Sequence, residues 1–96
     1  MHARAVTYHY LPAKTDDLLA IYRDSVVPDA QQQSGFKGAI LLMNDDLGKA
    51  ISITLWETAD DLRTSEESGY REQQRAKLEG ARFEEPSEYF VVKVKV

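Results

Sequence analysis

The sequence predicts an α+β fold of ferredoxin-like topology, βαββαβ, built on one four-stranded antiparallel sheet. Three observations carry that prediction. Four runs are rich in β-forming residues. Segments of helical periodicity separate the first run from the second and the third from the fourth. The second and third runs are joined by a turn of hairpin length.

Ala3 to Tyr10 alternate small or polar residues (Ala3, Ala5, Thr7, His9) with larger ones (Arg4, Val6, Tyr8, Tyr10) and read as the first strand. After Pro12, Thr15 is a candidate helix cap, with Asp16 and Asp17 at the positive end of the dipole. Leu18, Leu19, Tyr22, Val26, Val27 and Ala30 form one apolar stripe, interrupted by Pro28, where the helix should kink or restart. Gly35 supplies a left-handed stop.

Phe36 to Met43 carry aliphatics on both faces, Ile40 and Leu42 on one and Leu41 and Met43 on the other. Asn44 to Gly48 are turn residues, and Lys49 to Trp56 should return antiparallel, with Ile51, Ile53 and Leu55 opposite Ser52, Thr54 and Trp56. Thr58-Ala59-Asp60-Asp61 opens a second helix by a capping-box pattern, and Gly69 can break it in two. This helix is hydrophilic, with Glu67 to Arg71 and Arg75 to Glu79 as i,i+4 pairs and Glu66 and Glu67 on a solvated face, and reads as a poorly buried lid. Glu88 to Val96 form the last strand, with Phe90, Val92, Val94 and Val96 on one face.

The composition fits a single domain spanning residues 1–96: 43% hydrophobic, 29% charged, five Gly and three Pro. At this length folding buries only roughly 60 to 70% of the surface, and with no cysteine neither a disulfide nor a thiolate metal site can add stability. Two helices cover one face of the sheet, leaving the aliphatics of the second and third strands facing water. A homodimer closing sheet to sheet about a twofold axis would bury them. The alternative is a monomer whose loops cover part of that face.

A net charge of −4, with basic residues scattered among acids, argues against nucleic acid and membrane surfaces as partners. No secretory signal or apolar span is apparent, so a cytoplasmic protein is the expectation. Two histidines without ligand spacing argue against a bound metal, and there is no phosphate loop, nucleophile elbow or calcium loop.

The polar sheet face is expected to gather Thr7 and His9 from the first strand with Ser52, Thr54 and Trp56 from the third. Tyr22 from the first helix, and Leu62 and Tyr70 from the second, would reach it. Apolar walls with a few hydroxyls, an indole and an imidazole suit a small aromatic or quinone-like molecule. In that reading Trp56 stacks on the ligand, and His9 or Tyr70 accepts a phenolic proton. Each also has a structural reading, Trp56 as a core anchor and the tyrosines as packing groups.

Pro28, Ser34-Gly35-Phe36-Lys37-Gly38 and Ile51-Ser52-Ile53-Thr54-Leu55-Trp56-Glu57-Thr58, followed by Ala59-Asp60-Asp61, together resemble the antibiotic biosynthesis monooxygenase family. The resemblance implies a dimeric α+β barrel and, in the better-known members, oxidation of polyphenols or quinols by molecular oxygen without cofactor, the substrate supplying the electrons. It implies a pocket-lining role for Trp56. An asparagine that some members carry four residues earlier is Ser52 here. A haem-degrading branch uses an asparagine, a tryptophan and a histidine that this chain lacks in the regions of Thr7 or Tyr8, Ser65 and Arg75. The expected function is thus a cofactor-independent monooxygenase, or else a non-catalytic ligand-binding or stress-related dimer using the same cleft.

Overall fold

The computed structural model describes residues 1–96. Strand β1 runs His2–His9, β2 Phe36–Asn44, β3 Lys49–Trp56 and β4 Glu88–Val91. They form one antiparallel sheet in the order β2-β3-β1-β4. Helix α1 (Thr15–Ile21) continues through a π-helical turn (Tyr22–Val26) into α2 (Val27–Gln31), while α3 (Ala59–Glu67) and α4 (Tyr70–Lys77) follow β3.

Pro28 does not break the first helix. Its missing amide would leave the helix one bond short, and the chain responds with the π turn, where the Val27 amide bonds the Tyr22 carbonyl five residues back. Thr15 is not the cap expected of it. It is the first residue of α1, and its hydroxyl, with one proton to give, lies 2.8 Å from the Pro12 carbonyl and 3.1 Å from Asp45 of the hairpin loop. Thr58 does cap α3, accepting from the Asp61 amide at 3.0 Å. Gly69, at φ +83°, separates α3 from α4.

The hairpin between β2 and β3 turns through residues 45–48. Gly48 sits at φ +60°, and a Cβ there would lie 2.4 Å from the Tyr10 carbonyl, so both backbone and space require glycine. Near its other end β2 carries a bulge: Phe36 pairs with Trp56 and Gly38 with Leu55, leaving Lys37 as an extra residue. A one-residue offset exchanges the two faces of a strand. Phe36 therefore shares the helix-covered face with Leu41 and Met43, although its position in the sequence has the opposite parity.

Two apolar clusters lie between sheet and helices. One gathers Tyr8, Tyr10 and Ala50 with Leu18, Tyr22, Val26 and Leu78; the other joins Trp56 and Phe36 to Ala30, Leu62 and Tyr70. Leu18 and Trp56 have no exposed surface. On the opposite face, cross-strand rows run Ile40–Ile53–Ala5 and Leu42–Ile51–Thr7, with Phe90 beside Ala3. Ile40, Leu42 and Phe90 there are 48, 51 and 54% exposed.

The last strand is shorter than expected. It stops at Val91 because its neighbour β1 begins at His2, and beyond a single bond from the Val92 amide to the Met1 carbonyl there is no edge left to pair with. Val94 and Val96 are exposed. The second helical region is also better anchored than a lid, burying Leu62, Ser65, Tyr70 and Gln74. No helix is long and apolar enough to cross a membrane.

Candidate ligand-binding cleft

Directly paired residues of an antiparallel sheet project from the same face. Arg4, Val6 and Tyr8 of β1 pair with Thr54, Ser52 and Ala50 of β3, so these six point toward the helices. Above them α4 and its C-cap present Arg71, Gln74, Arg75 and Leu78 at spacings of three and four. Tyr22 and Val26 of the π turn close one side, and Tyr70 and Phe83 complete the lining. The cleft measures about 520 Å³ with its open mouth, but its interior is only about 60 Å³. Benzene fills a cavity of roughly 150 Å³, so an aromatic ring enters only if a lining side chain moves.

Of the residues that the sequence reading gathers at a site, Tyr22, Ser52, Thr54 and Tyr70 line this cleft. The Tyr22 and Ser52 hydroxyls lie 2.8 Å apart. Trp56 is placed differently from the ligand-stacking position expected of it. Fully buried beside the cleft on the same sheet face, it meets Phe36 edge to face at 5.7 Å and donates from Nε1 to the Thr54 hydroxyl at 2.9 Å. Leu62 packs in the cluster around Trp56 and does not reach the cleft.

Thr7 and His9 do not share the face of Ser52. Their partners are Ile51 and Lys49, which puts both on the side away from the helices. His9 Nε2 is instead engaged by the Glu85 carboxylate at 2.7 Å, beside paired backbone bonds between His9 and Arg82 that hold the loop after α4. The residues that sequence reasoning missed, Arg4, Val6, Tyr8, Arg71, Gln74, Arg75 and Phe83, include the cleft's cationic groups. One signal was available: the larger residues of β1 alternate with the smaller ones, and the larger set belongs against the core.

No carboxylate or imidazole lines the cleft, which carries three guanidinium groups. Arg4, 4% exposed, donates from Nη1 to Ser65 (3.0 Å) and Glu66 (3.3 Å), and its guanidinium lies 5.5 Å from the Trp56 ring centre. Burial lowers its pKa from the ordinary value; Glu66 opposes that and the like charge of Arg71 adds to it. Glu66 is thus not a solvated residue. Arg4, Arg71 at 3.7 Å and the Tyr89 hydroxyl all use it. The expected Glu67–Arg71 and Arg75–Glu79 pairs do not form: Glu67 is beside Arg63 at 3.9 Å, and Arg75 turns over the Phe83 ring.

Three polar atoms in the lining are buried without a partner: the Tyr8 hydroxyl, Arg71 Nε and Gln74 Oε1. Burial pushes the Tyr8 phenol up to about 12, and does the same for Tyr70 with Arg4 opposing. Both are neutral hydrogen-bond donors at neutral pH. Tyr70 is therefore unsuited to accept a proton there, and His9 faces away. The lining can stabilise a negative oxygen, but it offers no general base.

No protein-family model matches the chain. Solved structures share its architecture. SnoaB, a cofactor-independent oxygenase from Streptomyces nogalater, superposes with a TM-score of 0.71 at 16% identity, over 99% of this chain and 95% of that one. The ActVA-Orf6 monooxygenase of Streptomyces coelicolor, solved with nanaomycin D, gives 0.69 at 17% identity over 99% and 89%. The fold is that of the antibiotic biosynthesis monooxygenases. A Bordetella bronchiseptica structure named for those monooxygenases also matches, with a TM-score of 0.71 at 19% identity over 98% of this chain and 97% of its own. Sequence similarity is found with the uncharacterized protein Rv2558 of Mycobacterium tuberculosis, 34% identical over 67 residues, or 70% of this chain. The chain covers 28% of that relative's length. The resemblance read from the strand motifs is thus met again in the three-dimensional monooxygenase-like fold.

Proposed function

We propose that this chain is a homodimeric, cofactor-independent monooxygenase that oxidises an aromatic hydroxy compound or quinol with molecular oxygen. The observation that carries the reading is a cleft rich in cations and phenolic donors and free of carboxylates, in the fold that SnoaB and the ActVA-Orf6 monooxygenase share. A phenol becomes a good electron donor to oxygen once it ionises. Guanidinium groups and buried donors lower the cost of that ionisation.

In the simplest case a dihydroxynaphthalene loses two ring electrons and two hydroxyl electrons and gains one oxygen atom, giving a hydroxynaphthoquinone. The second oxygen atom leaves as water with the two displaced hydrogens. Tyr22, Ser52, Thr54 and Tyr70 would contact the ring substituents, with Trp56 fixing the Thr54 hydroxyl. The phenolic proton would pass to solvent through the open mouth. Oxygen uptake with reduced naphthoquinones tests this: turnover above the uncatalysed rate that falls in Arg75→Gln is expected, and a rate equal to the buffer blank would end the reading.

The uncovered sheet face supports the homodimer. Exposed apolar surface is unfavourable by about 25 cal/mol for each Å², and Ile40, Leu42 and Phe90 stand half exposed on one side. A second copy placed face to face would cover them.

A second reading, a non-catalytic dimer that binds an aromatic ligand, is favoured by one observation: the lining has no proton acceptor. Ligand binding with no oxygen uptake would select it.

A further inference from the structure

The unsatisfied atoms of the cleft describe a ligand more specific than a phenol. Arg4 and Arg71 share one carboxylate, Glu66, while Arg75 has no carboxylate within 4.0 Å. Positive charge is left over in a half-enclosed site of a chain whose net charge is −4. Beside it lie two buried donors without acceptors, the Tyr8 hydroxyl and Arg71 Nε, and one buried acceptor without a donor, Gln74 Oε1. Tyr8 is 1% and Gln74 7% exposed, so water does not readily meet these needs. Gln74 cannot resolve the matter by turning its amide, because Nε2 is already given to Asp29 at 3.3 Å.

We propose that the cleft takes a hydroxylated aromatic carboxylic acid, its carboxylate held by Arg71 and Arg75 and its hydroxyl donating to Gln74 Oε1. An anion answers the surplus guanidinium charge, and a planar carboxylate matches their donor geometry. The aromatic part is answered by Phe83. That ring lies 5.5 Å from the Tyr8 ring and 4.4 Å from the Arg75 guanidinium, occupying the seat that a ligand ring would take after displacing it. The proposal rests on the cleft reading above, but not on turnover there.

Calorimetric binding of 4-hydroxy-2-naphthoate, whose hydroxyl cannot reach its own carboxylate, and its amide, 4-hydroxy-2-naphthamide, tests it under nitrogen, where oxidation plays no part. The acid should bind roughly tenfold tighter, as a charged hydrogen bond allows. Arg75→Gln should shrink the difference several-fold while the chain stays folded, its melting temperature lowered only by loss of the contact with the Phe83 ring. Gln74→Leu should weaken the hydroxy acid but not 2-naphthoate, which has no hydroxyl to donate. Equal affinity for acid and amide, a preference undiminished by Arg75→Gln, or binding of neither would overturn the proposal. A protein that prefers the acid yet consumes no oxygen keeps this inference and loses the oxygenase reading.

Discussion

The Arg75 guanidinium lies 4.4 Å from the centre of the Phe83 ring, so a side chain of α4 and one from the loop after it together fill the end of the cleft. Phe83 is half buried and also touches Tyr8. Its removal enlarges an interior of only about 60 Å³. Phe83→Ala should therefore tighten binding of a two-ring aromatic several-fold while costing about 1 to 3 kcal/mol of stability, below the loss for a fully buried phenylalanine. Calorimetry and urea unfolding measure the two effects; a weaker ligand with the same stability would show that the ring supports the site.

Arg4 is the most buried charge of the site. Replacing Glu66 by Gln leaves two guanidinium groups near each other without their shared carboxylate, and losing one partner of a buried pair costs roughly 3 to 5 kcal/mol; because Glu66 is a quarter exposed, about 1 to 3 is expected here. Arg4→Met should cost a similar amount. The double variant should cost less than the sum of the two, because it strands no charge. Additive losses in urea unfolding would show that the pair is not coupled.

The phenols of Tyr8 and Tyr70 are both pushed up to about 12, and burial pushes Tyr10 there too, with Asp45 adding to it. A folded-state pKa above the unfolded value of 10.0 favours the neutral phenol in the folded chain, so the stability it contributes is complete below pH 10 and lost as pH rises toward 12. Unfolding free energy should be flat from neutral pH to about 10 and then fall. Tyrosinate absorbance should appear together with unfolding. Early titration of all five tyrosines with the fold intact would contradict the burial of these rings.

Leu42 and Ile40 are half exposed on the face away from the helices, and a charge there is compatible with the folded chain but not with a second copy packed on it. Leu42→Glu should convert a sedimenting dimer to a folded monomer. A wild-type chain that already sediments as a monomer at micromolar concentration would remove the barrel.

The element order was legible because each signal is local: Thr58 reaches the Asp61 amide three residues on, and Gly48 permits the turn that Asn44 to Lys49 require. The site was legible only on β3 and in the helices, where Ser52, Thr54, Tyr22 and Tyr70 were found. On β1 the choice between alternating sets went to Thr7 and His9, and the register chose Arg4, Val6 and Tyr8. Hydrophilicity misled there, because Arg4 looks like a surface residue until Ser65, Glu66 and Trp56 surround it. The same holds for α4, whose arginines read as one side of exposed ion pairs. The bulge at Lys37 and the early end of β4 are set by neighbouring strands and leave no mark in local sequence.

Backbone amide shifts of the labelled protein, followed while 4-hydroxy-2-naphthoate is added under nitrogen, test the location of the cleft most directly. Shifts concentrated at Tyr8, Ser52, Tyr70, Gln74, Arg75 and Phe83 are expected. Shifts concentrated instead at Ile40, Leu42, Ile51 and Phe90 would place the ligand on the far side of the sheet and contradict the account.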